Sequence, residues 1–300
     1  GPRQSSSANY CQSLGKICLE QCDNAVPGQF QAHDDHQHID QPVEAAPIDP
    51  PPEEMRAVMA EMIRAEADTH LYGPVLGLPA LRSEIAWRSS ASYRARIALN
   101  LKGLDYRIAP VHLLEGGGQQ HHDAYRALNP QQLVPTLVHD GHAIGQSLAI
   151  VEYLDEVFPG PRLLPTDPLA RAFVRGLALY IASEGQPLMN LRVLQHLQHT
   201  HGLDEDARNA WVRHWLAVNF GNVEAQLANN PHGGNFTAGD TPGLAECCLV
   251  PHVFAAARFQ LDMTPYPNVM RIIGQCQPLP AFKKAHPGRQ PDTPDEFRIV

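Results

Sequence analysis

The chain has 300 residues, a formal charge of −9 and only four lysines, Lys16, Lys102, Lys283 and Lys284. It is long enough to bury a sizeable core and to form two domains, and its surface is a poor match for a nucleic-acid backbone. No apolar run approaches the ~18 residues of a membrane span. No export signal follows the N-terminus, and the six cysteines fit neither a zinc spacing nor a disulfide scaffold, so a reducing cytoplasm is the expected compartment.

Residues 1–50 are polar and without period, and an atypical extension over 1–82, largely disordered, is expected. His33-Asp34-Asp35-His36-Gln37-His38 within it reads as a solvated polar tail rather than a metal site, and no metal is expected. After Pro50-Pro51-Pro52, the run from Glu53 to Arg64 has acids in its first turn and apolar residues at helical spacing, which predicts a helix near 52–66. Together with Leu71–Ala86 it resembles the N-terminal part of fold-type I aminotransferases, the pyridoxal phosphate enzymes. The chain has no room for that enzyme's large domain and no lysine in a comparable context. The resemblance therefore implies a fragment joined ahead of another protein, not pyridoxal chemistry.

From Trp87 the pattern changes. Ser89-Ser90-Ala91-Ser92-Tyr93-Arg94-Ala95-Arg96-Ile97-Ala98-Leu99 places three hydroxyls and two guanidiniums at the start of a helix (about 90–102), the make-up of an anion-holding helix N-terminus. A strand follows at 106–111, then the Gly116-Gly117-Gly118 loop, a helix near 121–128, a strand at 133–138 and a hairpin turn at 139–142. Gln146-Ser147 then opens an apolar helix. Residues 167–285 read as helices. The order is α-β-α-β-β-α without a normal opening strand. Arg82 and Glu84 suit an edge better than a buried parallel strand, so only a short strand of about four residues near 84–87 is expected.

An α/β unit of this order ahead of an all-helical domain resembles a cytosolic glutathione transferase. The segment 89–99 resembles the zeta class, which contains maleylacetoacetate and maleylpyruvate isomerases. The likeness runs over about 87–298 and includes Ala127–Leu137, Gln146–Ile150, Leu261–Pro267 and Gln290–Pro294. It implies a thioredoxin-like glutathione-binding domain at 83–163, an all-helical domain at 167–290 and a homodimer.

The cofactor it implies is glutathione, whose thiol has an ordinary pKa of about 8.5 and reacts as the thiolate. Ser89 and Ser90 match the family's thiolate-binding serines, with Ser90 expected as the principal donor. Val134, before a cis proline at Pro135, matches the residue whose backbone pairs with the cysteinyl unit. Gln146 and Ser147 match the γ-glutamyl carboxylate site, and Gln120 the glycyl end. Gln186 and Asn190, as i, i+4 neighbours, are expected to face the same groove. Arg94, Arg96 and Arg258 are candidates for a diacid substrate, because a guanidinium takes a carboxylate in a bidentate way; an intramolecular ion pair is the plain alternative for each.

The implied reaction is cis–trans isomerisation of a maleyl diketo-acid, in which thiolate adds to the double bond, the axis rotates and thiolate leaves. Conjugation or dehalogenation of small α-haloacids, and a non-catalytic binding module, remain alternatives. Ala91 stands where many zeta members have cysteine. Gly243 stands where the family has a threonine helix cap, at a cost of a few tenths of a kcal/mol.

Overall fold

The structure, a computed structural model, describes residues 81–299. The expected extension up to residue 80, its helix near 52–66, the histidine-rich run and most of the aminotransferase-like segment lie outside the described residues.

The first half is a four-stranded sheet with helices α1 (Ser90–Leu101), α2 (Asp123–Leu128) and α3 (Ser147–Val157). The strands are β1 (Arg82–Ile85), β2 (Arg107–Pro110), β3 (Thr136–His139) and β4 (His142–Gly145), in the spatial order β2-β1-β3-β4. β1 pairs parallel with β2, Arg82 opposite Arg107, and antiparallel with β3, Arg82 opposite Val138. β3 and β4 form the expected hairpin around Asp140-Gly141, both at positive φ. The opening strand therefore forms, four residues long as expected, but two residues earlier than expected. It stops at Ile85 because the next two amides leave the ladder: Ala86 N–H donates to Ser92 Oγ at 3.3 Å and Trp87 N–H to Asp292 Oδ2 at 2.8 Å.

The second half is helical: α4 (Pro168–Leu179), α5 (Leu191–His201), α6 (Glu205–Ala228), α7 (Leu244–Arg258), α8 (Pro267–Cys276) and α9 (Pro280–Ala285). Helix α1 packs against α3, α7 and α9, so every residue from Ser92 to Leu99 is buried, including Arg94 and Arg96. The link between the halves is fixed by the buried Asp155 carboxylate, which accepts from Leu163 N–H (2.7 Å), Leu164 N–H (3.2 Å) and Lys102 Nζ (3.4 Å). A buried acid is stable only with such a full set of partners.

Gly243 is more than a tolerable cap. A Cβ there would overlap the Leu163 carbonyl oxygen, which accepts Leu244 N–H at 2.8 Å. Glycine lets the linker backbone close onto the start of α7. Glu246 supplies the cap instead, accepting Gly243 N–H (2.7 Å) and Thr237 N–H (2.8 Å).

Candidate active site

A cleft of about 570 Å³, a size suited to a small organic ligand, opens beside the start of α1. Ser89, Arg94, Gln120, Val134, Gln146 and Ser147 line one side, and Gln186, Asn190 and Arg192 the other. Among the described lining residues there is no Asp or Glu, and the arginines are Arg94 and Arg192. Such a wall favours an anion.

At one end Ser89 caps α1: its backbone is extended (φ −69°, ψ 120°) and its Oγ accepts Ser92 N–H at 3.2 Å. A serine oxygen that accepts from the backbone keeps its own proton free to donate, and the helix start adds partial positive charge. Ser90 does not line the cleft; its hydroxyl points to the Pro251 carbonyl at 3.5 Å. Of the two serines expected at the site, the structure brings Ser89 and not Ser90 to the cleft. As cap, Ser89 stands outside the helical turn facing the cleft, whereas Ser90 is turned onto α7.

At the other end Gln146 holds a left-handed backbone (φ 66°, ψ 115°), a strained setting for a side-chain-bearing residue. Its side chain donates to Gln131 Oε1 at 2.7 Å. This turn opens α3 at Ser147, whose Oγ accepts from Arg94 Nη1 at 3.2 Å. Arg94 is 2 % exposed, and its Nε and Nη2 are buried with no hydrogen-bond partner. Burial lowers its pKa, with the nearby Cys248 and Cys247 acting the other way. Behind it His252 is buried with Nε2 unpartnered; burial first, then the Arg94 charge, pushes its pKa down to about 3, so the ring is neutral.

Between the two ends, the Val134–Pro135 bond is cis and both residues border the cleft. The loop before it is tied by Leu133 C=O, which accepts from Tyr125 Oη (2.7 Å) and Asn129 Nδ2 (2.9 Å). Gln120 is buried beside His121, their side-chain nitrogens 3.0 Å apart, and its Oε1 is unpartnered. His121 also pairs with Gln132 at 2.8 Å. His121, Gln131, Gln132 and Arg192 are lining residues to which sequence reasoning gave no role. The two glutamines stand directly before Leu133-Val134-Pro135, and that position was the available signal.

Gln186 and Asn190 both reach the cleft, but not as i, i+4 partners on one helix. A π turn (Tyr180–Gly185) ends just before Gln186, a 3₁₀ turn spans Gln186–Met189, and Asn190 is extended at the start of α5. Pro187 lacks the N–H a regular helix needs, and at Gly185 a Cβ would meet the Asn219 side chain.

Arg96 and Arg258 are corrections. Arg96 lies outside the cleft lining, fully buried, with Nε donating to Ala285 C=O (2.9 Å), Nη2 to Trp87 C=O (3.0 Å) and Nη1 to Ala86 C=O (3.4 Å). Its donors are spent on backbone. Arg258 also lies outside the lining, over the Phe259 ring at 4.6 Å. Partial burial and the charge of Arg88 lower its pKa, so Arg88, unassigned from sequence, is its electrostatic neighbour.

Residues 85–162 match the family described as glutathione S-transferase, N-terminal domain. The maleylpyruvate isomerase of a Ralstonia species is 47% identical over 209 residues, 69% of this chain and 97% of that protein. The holo structure of a bacterial maleylpyruvate isomerase, a zeta-class glutathione transferase, superposes with a TM-score of 0.69 at 46% identity, over 71% of this chain and 100% of that one. Maleylacetoacetate isomerase from Methylobacterium extorquens AM1, with bound malonate and glutathione, gives 0.68 at 38% identity, over 71% and 99%. The sheet followed by helices, the cleft chemistry and the relatives converge: this chain belongs to the zeta-class glutathione transferase family that includes the maleylpyruvate and maleylacetoacetate isomerases.

Proposed function

We propose that this chain catalyses the glutathione-dependent cis–trans isomerisation of a maleyl diketo-acid, maleylacetoacetate or maleylpyruvate, in aromatic catabolism. The observation that carries the reading is the acid-free cleft with a buried guanidinium, Arg94, at one end and the Ser89 hydroxyl at the other. Arg94, a buried cation that borders the cleft and donates to Ser147 Oγ, suits a carboxylate placed there, and charge-assisted bonds are among the stronger ones available. The donor set therefore fits glutathione lying with its γ-glutamyl carboxylate towards Ser147 and Arg94 and its sulfur towards Ser89.

When bound, glutathione supplies a thiolate that adds reversibly to the cis double bond and frees the carbon–carbon axis to turn. The chain's own work is binding, orientation and charge stabilisation. Ser89 donates to the sulfur and holds the proton-free form at the start of α1. The Val134 backbone fits the cysteinyl unit, and Gln120 the glycyl end. Gln186, Asn190 and Arg192 line the cleft from the helical half, and the Arg192 guanidinium is the candidate partner for a substrate carboxylate. No side chain has to act as a strong base, in keeping with a lining of hydroxyls, amides and cations.

A homodimer in the cytoplasm completes the reading. Among the described residues no helix is long and apolar enough to cross a membrane.

The test is turnover of maleylacetone with and without glutathione, beside conjugation of a chlorinated acid. Isomerisation that requires glutathione supports the reading. Conjugation without isomerisation would favour the haloacid alternative, and failure to be retained on immobilised glutathione would remove both.

A further inference from the structure

The loop that delivers Ser89 is not held by the sheet it leaves. Beyond β1, the backbone groups of Ala86 and Trp87 are partnered by side chains of α1, Ser92 and Arg96, and by Asp292 of the C-terminal segment. Arg96 donates to both carbonyls, Trp87 C=O at 3.0 Å and Ala86 C=O at 3.4 Å, while its Nε ties the same guanidinium to Ala285 C=O at the end of α9. Asp292 Oδ2 accepts Trp87 N–H at 2.8 Å, and Phe297 stacks on the Trp87 ring with centroids 5.4 Å apart.

The segment that carries Asp292 is itself fastened. Gln290 Nε2 donates to Lys284 C=O (3.0 Å) and His286 C=O (2.8 Å), so Asp292 is presented from a fixed turn. Ala86 C=O in turn accepts Ser89 N–H at 3.1 Å, which makes Ser89 the next link of the same network. Gln290–Pro294 is far from the cleft in sequence and supplies none of its lining.

We propose that Arg96 and Asp292 are positioning residues that clamp the 86–88 loop and so set the orientation of the Ser89 hydroxyl, making the C-terminal segment part of the thiolate site. The inference rests on the reading of Ser89 as the donor to glutathione sulfur. A donor misplaced by a fraction of an ångström stabilises an anion less. The expected signature is thus a change in the bound thiol's acidity, not in the hold on the rest of glutathione.

The test uses the full chain and glutathione itself, reading thiolate by its ultraviolet absorbance across pH and binding by calorimetry at a pH where the thiol is protonated. Asp292→Ala is expected to raise the bound thiol's pKa by about one unit, which is tenfold less thiolate below that pKa, with glutathione Kd within about threefold. Asp292→Asn keeps an acceptor oxygen for Trp87 N–H and is expected to stay close to the parent. Arg96→Lys keeps the charge but cannot span three carbonyls, and is expected to fall between them. Ser89→Ala, run alongside, separates the two claims. If Ser89→Ala leaves the thiol pKa unmoved, the donor reading fails. If Ser89→Ala raises it while Asp292→Ala and Arg96→Lys only lower the melting temperature, the clamp is a structural brace and the proposal is overturned. Loss of glutathione binding in Asp292→Ala would overturn it too, since the carboxylate end should be untouched.

Discussion

The two ends of the cleft solve the same problem, holding a negative charge, with different means. At the Ser147 end a whole buried cation does it: Arg94 points one donor at Ser147 Oγ and leaves two unpartnered. Ser89 presents a neutral hydroxyl at a helix start to the cleft, and the Arg96 guanidinium behind the 86–87 backbone is committed to three backbone carbonyls. A permanent carboxylate needs a permanent countercharge. A thiol that must ionise and then attack needs a softer, adjustable partner, because a thiolate held too firmly is a poor nucleophile.

The sharpest break of this comparison is at Ser89. Ser89→Ala should lower kcat for maleylacetone on the order of 100-fold, the usual loss for one pre-set donor, with glutathione Kd little changed. Arg94→Met should do the reverse: Kd for glutathione weaker on the order of 10- to 100-fold by calorimetry, as for a charged hydrogen bond, with most of kcat retained at saturation. A variant pair that swapped these two signatures would dissolve the distinction between the ends.

The next effect is on stability at the Arg94 end. The His252 pKa is pushed down to about 3 in the folded chain against an ordinary 6.5. In that window the unfolded chain binds a proton that the folded chain does not. Stability is therefore lost as pH falls below 6.5, by about 1.4 kcal/mol per pH unit for this residue. Urea unfolding at pH 6.5 and 4.5 should show that slope in the parent and not in His252→Leu. A smaller loss is expected for Gly243→Thr, which restores the family's cap residue but meets Leu163 C=O: about 1–2 kcal/mol of destabilisation in the same assay. The smallest effect is at Ser90, whose hydroxyl faces Pro251; Ser90→Ala should change kcat and Kd by no more than about threefold.

The order of elements and the hairpin were legible in the sequence, because turn residues, caps and apolar runs are local signals; the cis bond at Val134–Pro135 and lining residues such as Ser89, Val134 and Ser147 were legible only through the family resemblance. What escaped it was facing. Arg94 and Arg96 stand about 200° apart around a helix, so one can reach the cleft only if the other turns away, and nothing local says which side is open. Ser89 and Ser90 are equivalent as hydroxyls. Only the point where the helix starts makes one the cap and aims the other at α7. Between Gln186 and Asn190 the chain makes a 3₁₀ turn containing Pro187 and then an extended Asn190, a departure that the i, i+4 rule does not contain.

The central claim, that Ser89 and not Ser90 holds the glutathione thiolate, is tested most directly by the ultraviolet pH titration of bound glutathione in the parent, Ser89→Ala and Ser90→Ala. The account predicts a thiol pKa below the ordinary value of about 8.5 in the parent and in Ser90→Ala, returning towards that value in Ser89→Ala. A return in Ser90→Ala with none in Ser89→Ala would contradict it.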